Sequence, residues 1–242
     1  IFPDKARLYI TAIEDHQYKD EKINCKIFIL LTFAIIKQKK IFQGWDNVYG
    51  FNMSAVRDLV ISEPLVDLVE PNQIVTNYYK VKEVDLYTVT IDDLTFESNF
   101  SLIAKRSDHV HALVTFFSIE FSKSLKTIGF STCEFCSLFY SLSILKVAFI
   151  IVPNSTEHRT THWKQTIFYI DDYMTIANGE EMLEHSTWLQ ISKIEYVYAH
   201  FFMLQLVNFF SRFLLGDMDI KIHVDHRGEL EQYNNSFLYK MR

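Results

Sequence analysis

Apolar and polar residues alternate with a period of two in stretch after stretch of this chain, and that period belongs to strands. "ARLYITAIED" (6–15) alternates as a half-buried strand does. "VKEVDLYTVTIDDLTFESNFSLIAKR" (81–106) alternates at length, with Val84, Leu86 and Thr88 on one face. "HVHALVTFFSIEF" (109–121) and "WKQTIFYIDDYMTI" (163–176) follow. "MDIKIHVDHRGELEQY" (218–233) reads as strand, "HRG" turn and strand. Many strands with few helices between them predict an antiparallel sheet or barrel.

One interruption has a helical period. In "NMSAVRDLVISEPLVDLV" (52–69), Met53, Val56, Leu59 and Val60 recur near 3.6 residues. Ser54 is the expected N-cap, and Pro64 should end the helix. Three further stretches, 26–43, 135–152 and 191–215, are rich in Phe, Ile, Leu, Ser, Tyr and Lys and lack a clean period of two. They make poor membrane spans, which need about 20 apolar residues. The first has a shorter apolar run, the second contains Lys146, and the third contains Glu195, His200, Gln205, Asn208 and Arg212.

The chain has 242 residues, 49% of them apolar, enough for one large domain or two small ones with a sizeable core. A formal charge of −6 disfavours nucleic acid as a partner and suits a basic protein. Cys25, Cys133 and Cys136 are too few and too irregular for a disulfide framework, so a reducing compartment is expected. Six scattered glycines form no phosphate-cradling loop. No metal site is expected either. Cys133 and Cys136 lack a second pair, and His109, His111, His223 and His226 read as surface or satisfied histidines. There is no signal-peptide pattern, and a first residue of Ile1 places the expected start upstream.

The triplet Thr161-His162-Trp163 stands just before a strand-like run. Together with "IFPDKARLYITAIEDHQYKDEKI", "WDNVYGFNMSAVRDLVISEPLVDLVEPNQIVTN", "KEVDLYTVTIDDLTFESNFSL", "DHVHALVTFFSIEFS", "GFST" and "THWKQTIFYIDDYMTIANGEEM", it gives the chain its likeness. In order and over most of its length, the chain resembles the C-terminal half of the type I protein arginine N-methyltransferases. The resemblance implies a β-barrel with a helical dimerisation arm, over 1–242, with the arm at approximately 45–70. It implies a homodimer in which Trp45, Tyr49, Phe51 and Met53 of the arm reach the partner. It implies that S-adenosylmethionine and two substrate-gripping glutamates belong to an N-terminal Rossmann-like domain missing from this chain, which then holds no cofactor-binding residue.

The same resemblance assigns Thr161, His162 and Trp163 to one wall of the arginine pocket. Arginine stays charged at physiological pH, so methyl transfer requires its guanidinium to be oriented and desolvated. Trp163 would offer a flat face to the cation, and His162, the catalytic candidate, would pair with a carboxylate across the domain boundary. Without the resemblance, the plainer reading of His162 and Trp163 is packing between domains. Thr160 departs from the family, where Tyr is usual. The implied activity is methyl transfer from S-adenosylmethionine to arginine in histones and Gly/Arg-rich proteins, in cytoplasm and nucleus, with no membrane and no direct nucleic acid. The alternative is a non-catalytic barrel remnant that binds partners or dimerises.

Measured against the family, apolar stretches at approximately 25–44 and 133–154 are additions, and a third at approximately 187–215 replaces a shorter segment. Cys25 and Gly44 are the residues that read-through would give where an intron splits a TGG codon. The stretches therefore read as translated introns, with lineage-specific loops as the alternative.

Overall fold

The computed structural model describes residues 3–23, 45, 50–90, 92–125, 127–132, 164–190 and 218–241. Ten strands in two antiparallel sheets dominate them. They are β1 (Lys5–Ile13), β2 (Leu65–Asp67), β3 (Tyr79–Asp85), β4 (Phe96–Ile103), β5 (Asp108–Phe121), β6 (Ile128–Ser131), β7 (Gln165–Ile176), β8 (Glu181–Gln190), β9 (Met218–Arg227) and β10 (Gln232–Met241). One sheet runs β2-β7-β5-β1-β3, with β6 also paired to β5, and the other runs β10-β9-β8-β4. A bridge between Thr76 and Ala104 ties the sheets on one side. On the other, the buried Tyr239 hydroxyl donates to the Tyr169 carbonyl at 3.0 Å. The antiparallel, mainly β, barrel-like architecture is the one the alternation predicts.

Inward-facing residues fill the space between the sheets. β1 contributes Leu8 and Ile10, β5 contributes Leu113 and Phe117, and β7 contributes Phe168 and Ile170. From the second sheet, Trp188, Ile220, Ile222 and Tyr239 meet them. β9 alternates strictly, its buried residues two apart from Met218 to His226. In β5 every residue from Val110 to Ile119 is buried, because its sheet is covered on both faces. The outer cover includes α2 (Ser54–Ser62), with Ile61 packing into a cluster that holds Ile13, Val114, Ile167 and Tyr169.

Several local expectations are refined. Residues 81–106 are two strands separated by a turn and a short 3-10 helix at Asp92–Leu94, and Thr88 is exposed while Val84 and Leu86 are buried. Thr88 and Val89 both donate backbone hydrogen bonds to the Asp85 carbonyl, which closes the turn. Ser54 does not cap α2. Asn52 Oδ1 accepts from both the Ser54 backbone and its hydroxyl, at 3.0 and 2.8 Å, and Met53 holds the cap position. The helix stops at Ser62, because Glu63 before Pro64 is held in the extended region. The expected addition at approximately 187–215 begins with Thr187–Gln190, which belong to β8; all four pair with β9, and Thr187 and Trp188 pair with β4 as well. Trp188 there is almost completely buried. Residues 191–215, 25–44 and 133–154 lie outside the described residues.

A wide bulge interrupts the β5–β7 pair. Ala112 pairs with Tyr169 and Val110 with Met174, so four residues of β7 stand opposite His111 alone. Three of the four, Asp171, Asp172 and Tyr173, are pushed outward and exposed, while Ile170 stays in the core.

Candidate functional site

Thr161, His162 and Trp163 lie outside the described residues, as does Tyr49 of the expected arm. The ground on which the triplet stands is described. Lys164, the residue after Trp163, places its Nζ 2.8 Å from Asp67 Oδ1. Gln165 is buried and holds two elements at once. Its Oε1 accepts from the Val69 backbone at 2.9 Å, and its amide nitrogen donates to the Thr132 carbonyl. Thr132 is fixed to β5 in turn, since its backbone N–H donates to the Phe117 carbonyl at 2.9 Å. One side chain thus joins the residue after β6 to the first residue of β7.

Beside this junction lies a cleft of ≈190 Å³ between the end of β1, β2 and β7. Its polar lining includes Asp15, Glu21 and Asp67, and its aromatic lining is Tyr18 and Tyr169. The two tyrosine rings stack with centroids 5.3 Å apart and planes 14° apart. Tyr18 belongs to a single helical turn, α1 (His16–Tyr18), whose backbone N–H at Tyr18 is capped by Asp15 Oδ1. Asp15 Oδ2 accepts from the Tyr169 hydroxyl at 2.6 Å. Burial and the Asp15 carboxylate push the Tyr169 phenol well above its ordinary value. Burial, then the charges of Asp67 and Asp15, push Tyr18 up as well. The Lys164 ammonium beside Asp67 holds that carboxyl below the usual range, so Asp67 is charged at neutral pH.

On the far side of the same turn a second polar group assembles under the bulge. His109 and His111 both lie against the Tyr173 ring, at 4.8 and 5.9 Å between centroids, and His16 lies 5.7 Å from His111. His111 is buried and accepts from the Asp15 backbone through Nδ1 at 3.3 Å. Burial, then the charges of Lys19, His16 and His109, lowers His111 to about 4. Lys19 is buried too, with no hydrogen-bond partner for Nζ among the described residues, and burial lowers it to about 8 despite Asp171 and Asp172 nearby. Among the described residues no three His, Cys, Asp or Glu are arranged to hold a metal. His223 bonds Ser236 at 2.9 Å on the surface, and His226 is buried 3.6 Å from Glu180. No described helix is long and apolar enough to cross a membrane.

Of the arm candidates, Phe51 is 72% exposed and Met53 37% exposed. Trp45 is half-buried, and its carbonyl accepts from the Met53 backbone at 2.7 Å, so these two candidates are brought together. Asp15, Tyr18, Asp67, Lys164, Gln165 and Tyr169 were not singled out by the sequence. The only local sign was a carboxylate at the end of a strand pattern followed by a tyrosine, and the partners are remote in sequence: 154 positions separate Asp15 from Tyr169, and 96 separate Val69 from Gln165.

The family model described as the arginine methyltransferase oligomerization subdomain matches residues 24–193. Protein arginine N-methyltransferase 8-B of Danio rerio is 39% identical over 242 residues, 100% of this chain and 43% of that protein. Protein arginine N-methyltransferase 1 of Caenorhabditis elegans is 39% identical over 241 residues, and the chain spans 52% of its length. Among solved structures, the Trypanosoma brucei PRMT1 enzyme-prozyme heterotetrameric complex with AdoHcy aligns over all of this chain and 57% of that one, with a TM-score of 0.67 and 27% identity. Arabidopsis thaliana protein arginine methyltransferase 10 aligns with a TM-score of 0.60 at 13% identity, which speaks for the fold alone. The chain therefore spans about half the length of these relatives and, by the family match and the identities, belongs to the protein arginine methyltransferase family, corresponding to its C-terminal oligomerisation portion.

Proposed function

We propose that this chain is the substrate-side and dimerisation portion of a type I protein arginine N-methyltransferase acting on basic, Gly/Arg-rich proteins and histones in cytoplasm and nucleus. The observation that carries the reading is likeness along the whole chain, 39% identity over 242 residues to a protein of that name. S-adenosylmethionine would supply the methyl group. On this reading its site belongs to the N-terminal domain of the family's architecture, and the barrel described here, with an interior filled by side chains such as Phe168, Trp188 and Tyr239, serves the substrate side. No step is assigned to that cofactor on this chain.

What this chain would supply is the wall of the arginine pocket. Thr161, His162 and Trp163 stand immediately before the Lys164–Asp67 pair and the buried Gln165. A wall rooted in a sheet is held closer to one geometry than a free loop, as orientation of a guanidinium requires. Trp163 would face the cation, and His162 would hold the opposing carboxylate in place. Trp45, Phe51 and Met53, with Tyr49, would meet the second subunit.

The test is methylation of a Gly/Arg-rich peptide by the protein expressed from the full-length transcript of this locus. His162→Ala should lower kcat, Trp163→Ala should raise KM, and the 242-residue chain alone should show no turnover. A full-length protein that folds and dimerises but does not methylate would favour a non-catalytic binding role.

A further inference from the structure

The outer face of the second sheet carries a row of four polar side chains, one from each strand. Asn99 of β4 stands opposite His185 of β8, His185 opposite His223 of β9, and His223 opposite Ser236 of β10. Ile222 and Val224, which flank His223 along its strand, are buried in the core, so the two imidazoles lie on the wet side. β8 and β9 are the inner strands of this sheet, each paired on both edges. The backbone beneath both histidines is therefore held, and residues directly opposite each other keep their Cβ atoms about 4.5–5.5 Å apart.

Each ring is oriented by a bond at Nδ1. His185 Nδ1 is 2.5 Å from Asn99 Oδ1, and His223 Nδ1 is 2.9 Å from the Ser236 hydroxyl. An amide oxygen only accepts, so His185 carries its hydrogen on Nδ1 and presents a lone pair at Nε2. A hydroxyl accepts as readily as it donates, so His223 takes the same form. Metal-bound histidines are held in this way, by an outer acceptor on the second nitrogen that fixes both tautomer and ring. The surroundings of His185 Nε2 suit a cation. The Thr187 hydroxyl is a long contact at 3.4 Å, and Glu97 Oε2 lies 4.0 Å away on a side chain 68% exposed. Two imidazole nitrogens select zinc, nickel or copper over magnesium and calcium, which prefer oxygen. No three His, Cys, Asp or Glu of the described residues are arranged around one point, so water completes the shell and the ion exchanges freely.

We infer that His185 and His223 form a two-nitrogen site for a divalent transition-metal ion on the outer face of the second sheet, with Glu97 drawn in as the ion binds. The ion staples β8 to β9. An unfolded chain does not hold the two rings together, so binding adds to the stability of the fold. The site stands whether or not the full-length protein methylates arginine.

The test titrates nickel(II) chloride into the full 242-residue chain, stripped with a chelator and with its thiols alkylated so that Cys25, Cys133 and Cys136 take no part. Calorimetry gives the affinity, and thermal unfolding gives the stabilisation. At a hundredfold excess over Kd, nickel should raise Tm by roughly 5–10 °C, and magnesium chloride at the same concentration should not. His185→Asn and His223→Asn should each weaken nickel binding by about tenfold or more. His16→Asn, which removes a histidine 69% exposed beside the first sheet, should leave it unchanged. Copper(II) supplies a readout that needs no variant. The electron paramagnetic resonance spectrum of the copper-loaded chain should show splitting from two imidazole nitrogens. No metal-dependent rise in Tm, an equal rise with magnesium, or full affinity in both pair variants overturns the site. A copper spectrum without nitrogen splitting overturns it too. Loss of binding in His16→Asn alone places the ion beside the first sheet and overturns the assignment.

Discussion

The Tyr169 hydroxyl donates to Asp15 Oδ2 across 2.6 Å, joining the middle of β7 to the residue just past the end of β1. The same tyrosine is anchored from its other side, where its carbonyl accepts from Tyr239 of the second sheet. One residue thus ties both sheets to the turn that carries Tyr18.

Tyr169→Phe removes only the bond to Asp15. The ring, its stack on Tyr18 and the carbonyl remain. Asp15 lies at the cleft and can turn to water, so the cost should be that of one net hydrogen bond to a charged group, about 1.5–3 kcal/mol. Urea unfolding should show a lower midpoint with an unchanged slope.

Gln165→Leu should be worse. The side chain is buried, and its loss leaves the Val69 N–H and the Thr132 carbonyl without partners. An unsatisfied buried polar group costs about 1–3 kcal/mol, so the variant should lose on the order of 2–4 kcal/mol by urea unfolding. In the proposed full-length methyltransferase its KM for peptide should rise, because the proposed wall would lose its root.

Lys19→Met should stabilise the fold at neutral pH. Burial lowers the folded lysine to about 8 from an ordinary 10.5. Between those values the unfolded chain binds more protons than the folded one, so wild-type stability rises with pH across that window. Below about 8 the ammonium is charged in both states and the full burial penalty stands. Methionine removes it, a gain of about 2–3 kcal/mol at pH 7 from the size of the shift. The difference in unfolding free energy between the two proteins should shrink from pH 8 to pH 10. A constant difference would show that Lys19 is not buried as described.

Phe51→Asp should act on assembly and not on folding. The side chain is 72% exposed, so its removal costs the isolated chain almost nothing. In the proposed dimer it would place a charge at the contact, weakening association by roughly 2 kcal/mol or more. Sedimentation at several concentrations should show a shifted monomer–dimer balance at unchanged thermal stability.

The strands were legible where one face is wet. β9 was read because inward Ile220, Ile222 and Val224 alternate with polar neighbours, but the expected "HRG" turn falls later, at 228–231, since His226 and Arg227 still belong to β9, and most of β10 lies beyond the stretch that was read. The break between β3 and β4 was hidden, since Thr88 and Val89 continue the alternation while their backbone bonds turn to Asp85. The β7 bulge was hidden as well. Nothing local in "YIDDYM" says that four residues will face His111 alone. Lys19 carries no sign of burial in a run of charged residues, because the elements that cover it come from elsewhere in the chain. The cleft follows the same rule. Asp15, Asp67 and Tyr169 become neighbours only after β1, β2 and β7 join one sheet.

The bond from Gln165 to Thr132 has a consequence for how this sequence can change. It joins positions 33 apart in sequence, and the entropy of closing a segment between two fixed points grows only with the logarithm of its length. Doubling that separation would add about 0.6 kcal/mol, less than the loss of one buried hydrogen bond. The fold therefore tolerates a change in the number of residues between Thr132 and Gln165 far better than a change of Gln165 itself.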